Sequence, residues 1–315
     1  ECMFTFMNTA RIGTAIQGVG PAELSYQWAL DYARERRSMR ALSGKKEPDE
    51  VADSLIHHAD VRRMLLTQKA IAEGGRSMLY YAAKIADHMV EAHTAGDTAK
   101  VEKYDDKLGF LTPILKGFLT ELGCEAANLG VQVFGGHGYI REWGMEQYVR
   151  DARIAQIYEG ANGIQALDLM GRKTVRGKGE LLAVLLTEMD KFVADAQDIP
   201  GMSQYLPHLL SNQQMIQSVT LSVIDRAGDN PEEIGAASYA YMELLGLTLY
   251  NFMWLRILAA VLPKLQAGSG DTPHLSGLVK TAEFFFARLL PRTRALVEEI
   301  EAGADTLMAM SAEEF

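Results

Sequence analysis

The sequence predicts an all-α protein, a bundle of long up-and-down helices followed by a second helical unit. Three observations carry this. Apolar residues recur at spacings of three and four over long stretches, glycines and prolines punctuate those stretches, and period-2 runs joined by hairpin turns are missing.

The elements follow in order. The stretch ARIGTAIQGVGPAELSYQWALDYARERRSMRAL, from Ala10, predicts one helix that stops at Ser43-Gly44, ahead of Pro48. Asp60 is the expected N-cap of the run that starts VRRMLLTQ and ends near Gly96, and a third long helix is expected from about Ala99 to Phe134. The break FGGHGYIREWG separates it from shorter helices over 145–156 and about 161–171. A composition shift at RKTVRGKGE, 172–180, sets the expected boundary between units 1–175 and 176–315. In the second unit, DIPG (198–201), GDNPEE (228–233) and AGSGDTP (267–273) divide further helices. The apolar stretch 244–262 is interrupted by Asn251 and Arg256, which predicts a buried core helix and not a membrane span. Met and aromatic residues at helical spacing over 239–254 read as core, and the second unit as a whole as packing or interface.

Composition narrows the function. The chain has 315 residues, 48% hydrophobic and 23% charged, enough for two units of the usual ~100–200 residues. A net charge of -10 without a Lys/Arg stripe argues against nucleic acid as a partner. Two cysteines, Cys2 and Cys124, lie far apart without a partner pattern, which indicates neither a disulfide framework nor a zinc site and fits a reducing, cytoplasmic compartment. The adjacent His57 and His58 diverge by about 100° on a helix and make no metal-ligand spacing. GVG at 18–20 follows no strand, so it reads as tight helix packing and not as a dinucleotide fingerprint. The opening ECMFTFMNTARIG is neither a start-methionine context nor a signal peptide, so the chain is expected to begin inside a longer protein.

The chemistry concentrates in QIYEGANGIQ, 156–165. There one carboxylate, Glu159, stands beside Tyr158 and before Gly160 and Ala161, where the backbone is free to bend and bulky neighbours are missing. That setting suits a carboxylate that must approach a substrate. Upstream lie the pair Gly135-Gly136 and RDAR, 150–153, read as a salt-bridge cluster that orients the loop.

The whole stretch QVFGGHGYIREWGMEQYVRDARIAQIYEGANGIQ resembles the acyl-CoA dehydrogenase family, whose last helical domain carries a QxxGGxGY turn, an RDAR-like segment and IYEGTxxIQ in this order. YARERRSMR, 32–40, is similar to that family's YAxERxxFG, and FMNTAR, 6–11, takes the place of its FDxxR-like segment. The resemblance covers roughly 1–173. NGIQALDLMGRK and the helical extension look like the branch with an enlarged C-terminal domain, which includes 3-methylmercaptopropionyl-CoA dehydrogenases.

What the resemblance implies is specific. The parent enzyme would remove an α-proton and a β-hydride from an acyl-CoA thioester, giving a trans-2-enoyl-CoA, with FAD as cofactor and electron-transfer flavoprotein as acceptor. Glu159 matches the catalytic glutamate, its N–H would hydrogen-bond the thioester carbonyl, and Gly160 would let side chain and N–H face one substrate. Arg36, Gln132, Gly135 and Gly136 match contacts to the adenosine diphosphate half of FAD, reached on a neighbouring subunit, so a homodimer is implied. Arg11 and Tyr158 would touch the substrate, Arg11 at its CoA portion or, alternatively, in an end-of-helix ion pair. At two flavin-side positions the family's Thr and Gln are replaced by Ala161 and Gly163, and its Phe-Gly after Arg36 by Met39-Arg40. The extension would cover the face through which ordinary members pair their dimers. The family's N-terminal helical domain and β-barrel are not in this sequence, so the chain alone is expected to fold without catalysing. An acyl-CoA oxidase and a non-catalytic helical dimerisation module are the alternatives.

Overall fold

The computed structural model describes residues 2–315, with side chains from residue 10 onward, so the side chains of Cys2 and of residues 6–9 in FMNTAR lie outside what is described. It is 80% helical, and among the described residues no strand forms. Three long helices make the first layer: α1 (Cys2–Glu35), α2 (Ala59–Thr94) and α3 (Thr98–Phe134). Apolar faces at three- and four-residue spacing drive them together. The sharp return between α2 and α3 comes from Gly96 at φ 72° and from Asp97, whose carboxylate caps α3 by accepting the Lys100 N–H at 3.1 Å.

Helices α1 and α3 run parallel, with Gly18 against Leu119 and Tyr32 against Phe134. A Cβ on Gly123 would overlap the Gly18 carbonyl oxygen and sit 2.8 Å from the Gly18 Cα, so the two backbones are in direct contact there. Of the GVG pair, Gly18 makes this contact, whereas a Cβ on Gly20 would meet nothing within 4 Å.

The remaining helices are α4 (Gly136–Tyr139), α5 (Met145–Ala155), α6 (Asn162–Leu167), α7 (Glu180–Ala196), α8 (Leu206–Asp229), α9 (Glu232–Gln266), α10 (Thr272–Phe284), α11 (Arg292–Glu301) and α12 (Asp305–Met308). Helix α9 organises them. Its apolar window has a mean hydropathy of 1.6 and is 78% buried, because α9 is enclosed on every side; Tyr241, Tyr250 and Trp254 are at most 1% exposed. Within the predicted core run only Tyr239 is exposed. Gly117 on α3 lies under Met242, Gly246 on α9 lies under the Phe118 ring, and Tyr250 donates its hydroxyl to the Ile71 carbonyl of α2 at 2.8 Å. One core therefore runs from Ala15 through Leu115 and Met170 to Tyr241 and Ile300.

Three expected boundaries are corrected. Helix α1 stops at Glu35, seven residues before Leu42, because Met39 sits at φ 60° and residues 36–39 pair with 53–55 instead: Ser38 N–H to Asp53 O at 3.0 Å, Leu55 N–H to Arg36 O at 2.8 Å. Asp60 is not the cap of α2; His58 occupies that place, while Asp60 sits in the first turn, where its charge suits the helix dipole and binds Arg63 Nε at 2.8 Å. The helix expected to end at 171 continues as a π-helical stretch, Asp168–Val175, with Thr174 Oγ1 donating to Leu169 O at 2.9 Å. Gly171 is no stop there. It leaves room for Ile234, which a Cβ would approach to 3.2 Å.

Candidate active site

Two candidate regions lie along α3. The first is the turn between α5 and α6. Glu159 is exposed at φ 56°, a left-handed conformation that costs a non-glycine residue of order 1–3 kcal/mol, followed by Gly160 at φ 86°. The surroundings hold it there. Lys116, fully buried on α3, donates from Nζ to the Gly160 carbonyl at 2.7 Å and to Asn162 Oδ1 at 2.8 Å. Gln165 donates to the Glu159 carbonyl at 3.1 Å, and Asn162 N–H closes the turn on the Gln156 carbonyl at 3.0 Å.

Every carbonyl bonded in the heart of the turn thus points into the protein. The N–H groups of Glu159, Gly160 and Ala161 behave oppositely: none of them donates to a partner among the described residues. A carboxylate beside successive free N–H groups can take a proton from a carbon while the N–H groups bind the oxygen that gains charge.

The ground under this turn is charged. Asn162 also donates to Glu121 Oε1 at 2.7 Å and Gln156 to Glu121 Oε2 at 2.7 Å, while the Tyr239 hydroxyl bonds Glu121 too. Burial pushes the Lys116 ammonium down to about 8, against the pull of Glu121 and Glu159. Arg11 is 6% exposed and pairs with Asp168 Oδ2 at 3.9 Å from the middle of α1, not from a helix end; burial lowers it, and Asp168 and Glu159 hold it up. Tyr158, half-buried, donates its hydroxyl to Gln17 of α1. Gly163 and Ala161 are exposed on the rim.

RDAR is not a salt-bridge cluster. Among the described residues Asp151 pairs with neither arginine and accepts instead from Gln147 Nε2 at 2.7 Å; Arg153 orients the turn through Gln156 Oε1 at 2.6 Å.

The second region is a cavity of about 450 Å³ where Arg36, Gln132, Gly135 and Gly136 come together with Tyr32 and His137. Gly135 has φ 59° and ψ -137°, a conformation open essentially to glycine, and a Cβ on either glycine would meet nothing within 4 Å, so the backbone itself faces the cavity. An aromatic stack supports it: Tyr32 lies on Phe134 at 4.0 Å, His137 on Trp143 at 4.8 Å, and the Tyr32 hydroxyl meets His137 Nδ1 at 2.8 Å. A guanidinium above open backbone suits a phosphate-bearing ligand.

The loop that follows Arg36 is tied by Asp53, whose carbonyl accepts the Ser38 N–H at 3.0 Å. The fully buried Asp53 carboxylate accepts N–H groups from Ala41 at 2.8 Å and from Lys46 and Glu47 at 2.9 Å, with Arg40 at 3.1 Å, and these bonds hold it well below the usual carboxylate range. Asp53→Asn keeps the shape and loses the charge. Amide exchange at Ala41, Lys46 and Glu47 is expected to accelerate in the full-length protein, while exchange in α3 stays as it was; unchanged protection of the three would show that Asp53 does not tie the loop.

The two regions are separate. Gln132 is sixteen residues beyond Lys116 on α3, about 24 Å along the axis at 1.5 Å per residue. Sequence reasoning missed Lys116, Asn162 and Gln165. The available signal was a single lysine in the apolar run LTPILKGFL, where an uncompensated charge needs a partner.

A carboxylate among free N–H groups, on a helical frame, is an arrangement that suits chemistry beside a carbonyl. The model of the acyl-CoA dehydrogenase C-terminal domain matches residues 1–173, and that of the acetyl-CoA dehydrogenase C-terminal like family matches 185–311. The chain belongs to the acyl-CoA dehydrogenase family. It is 35% identical to a 3-methylmercaptopropionyl-CoA dehydrogenase of Ruegeria pomeroyi, over 98% of this chain and 51% of that one. Among solved structures, an acyl-CoA dehydrogenase of Bacillus anthracis complexed with FAD superposes with a TM-score of 0.67 at 18% identity, over 98% of this chain and 50% of that one. ACDH-11 of Caenorhabditis elegans, complexed with C11-CoA, gives 0.73 at 16% identity, over 97% and 47%. The chain spans about half the length of the curated relatives it matches.

Proposed function

We propose that the chain is the C-terminal half of a cytoplasmic, homodimeric, FAD-dependent acyl-CoA dehydrogenase that converts an acyl-CoA to its trans-2-enoyl-CoA and passes electrons to electron-transfer flavoprotein. The observation that carries this reading is the turn at Glu159, where a strained, exposed carboxylate stands beside unpartnered N–H groups. Glu159 takes the α-proton of the thioester. Its N–H binds the thioester oxygen as charge builds there, at no cost in reorganisation because the carbonyls of the turn are already fixed by Lys116 and Gln165. FAD, when bound, supplies the acceptor for the β-hydride. Arg36, Gln132 and the Gly135-Gly136 backbone fit its pyrophosphate and adenosine side, and Ala161 and Gly163 line its other end. Arg11 and Tyr158 border the substrate. The ~24 Å between the two regions supports a flavin shared across two subunits, each chain giving a base to one site and a cradle to the other. Residues 1–175 carry these groups, and 176–315 supply the extension.

The test is an anaerobic titration of the purified full-length parent with straight-chain acyl-CoAs. A yellow protein is expected, bleached by acyl-CoA with formation of the enoyl-CoA. The 315-residue chain alone is expected to be helical, colourless and inactive, since it offers FAD only one side. A yellow parent that no acyl-CoA bleaches would overturn the assignment.

A further inference from the structure

We propose that Lys116 is a positioning residue for the base: by holding the Gly160 carbonyl and the Asn162 side chain at once, its ammonium fixes the turn on which Glu159 sits. The proposal rests on Glu159 as the base. It extends that reading to a group that touches neither substrate nor flavin.

The geometry argues for it in three ways. Lys116 is fully buried, and burying a lysine is costly unless its donors are used. Both named bonds, 2.7 and 2.8 Å, go to residues flanking Ala161, immediately after the base. The Gly160 carbonyl has little other anchorage, accepting otherwise only from Gln165 at 3.4 Å. Asn162 is tied to α3 on its own, through Nδ2 to Glu121 Oε1 at 2.7 Å and Thr120 Oγ1 at 3.0 Å, and so gives the ammonium a fixed second partner. Without the ammonium, the left-handed pair at 159 and 160 loses its closest hydrogen bond, and its strain is free to relax.

Charge makes the clamp sensitive to pH. The charged groups facing Lys116 are Glu121 on its own helix, Arg11 on α1 and Glu159 on the turn; from α9 the Tyr239 hydroxyl reaches it only through Glu121. Burial brings the ammonium to about 8, so it loses its proton as pH rises through that value. A neutral amine still donates, but charge-assisted bonds are roughly twice as strong as neutral ones, so the turn loosens on the alkaline side.

Two measurements on the FAD-loaded full-length parent test this. The first is amide exchange at Ile157, Tyr158 and Asn162, whose N–H groups are the hydrogen-bonded ones of the turn, corrected for intrinsic pH dependence. Wild-type protein is expected to lose protection there as pH rises through about 8, and Lys116→Met to show the loosened state at every pH. The second is the pH profile of flavin reduction by acyl-CoA. Wild type is expected to decline on the alkaline side, whereas Lys116→Met loses that limb and is slower throughout by about 10²-fold, the penalty of a misplaced reacting group. Should Lys116→Met fail to fold, the exchange profile of the wild type alone decides. Protection at Ile157, Tyr158 and Asn162 that is flat across pH 7–9.5, or an alkaline limb that persists in Lys116→Met, overturns the proposal. Glu159→Gln run in parallel separates the readings: full activity in it defeats the base assignment, while the exchange result on Lys116 stands independently.

Discussion

Glu159→Gln in the full-length parent is expected to keep its bound FAD and its affinity for acyl-CoA, and to lose on the order of 10²–10⁴ in the rate of flavin reduction. The structure separates these effects. The side chain is exposed and makes no hydrogen bond among the described residues, so removing its charge leaves nothing buried and unpaired. The turn keeps its shape, because Lys116 and Gln165 hold backbone carbonyls and not the carboxylate. The N–H groups at 159–161 remain free to bind the thioester oxygen. What goes is the proton acceptor. Stopped-flow absorbance of the flavin, with acyl-CoA in excess, reads the loss directly, and near-normal reduction would sink the assignment. Glu159→Gly adds a second contrast. It removes the base and also relieves the left-handed strain at φ 56°, so it is expected to be as inactive as the glutamine variant yet more stable by about 1 kcal/mol.

Gly123→Ala is expected to be the most damaging single methyl in the bundle. The added Cβ would overlap the Gly18 carbonyl and lie 2.8 Å from the Gly18 Cα, so neither a rotamer change nor a small side-chain shift can accommodate it. Two helices of 34 and 37 residues must move apart. Overpacking of this kind costs about 1–3 kcal/mol, and with rigid backbone on both sides the upper end applies; alanine returns only ~1 kcal/mol of helix propensity. A net loss of about 2 kcal/mol should appear as an earlier midpoint in urea, followed by far-ultraviolet circular dichroism. Gly20→Ala is the control. With nothing within 4 Å of its Cβ it is expected to be neutral or to stabilise by up to about 1 kcal/mol. Equal effects at positions 20 and 123 would show that the close approach of α1 and α3 is not what these glycines serve.

How far the sequence alone reaches can be judged from these same residues. Helix α3 was readable almost to the residue, since Gly96 and Asp97 announce its start and Gly135 its end through local chemistry. The break at 198–201 falls between observed helices for the same reason, and those at 228–233 and 267–273 straddle the junctions of α8 with α9 and of α9 with α10, overlapping the helix ends by two residues. The end of α1 was not readable. Residues 36–42 have helical character, and what overrules it is Asp53, more than ten residues away, gathering their N–H groups. The π-helical turn after Asp168 was equally hidden, and Gly171 within it, a stop signal in the sequence, instead packs against Ile234. At the candidate site, QIYEGANGIQ marked Glu159 by its small neighbours, and the cradle residues came from motif resemblance; the cavity brings all four of those together. Lys116 and Asn162 escaped because their partnership spans forty-six positions and leaves no local pattern.

Helix α9 carries a consequence for how such a protein can change over generations. Met242 fills the notch above Gly117, and Phe118 fills the one above Gly246, so each half of the chain has carved space for a side chain of the other. Loss of the extension would uncover the Phe118 ring on the very helix that holds Lys116, leaving an apolar patch where Gly246 packs. Substitutions at 117 and 242, or at 118 and 246, are therefore expected to be coupled, a larger residue on one side calling for a smaller one on the other.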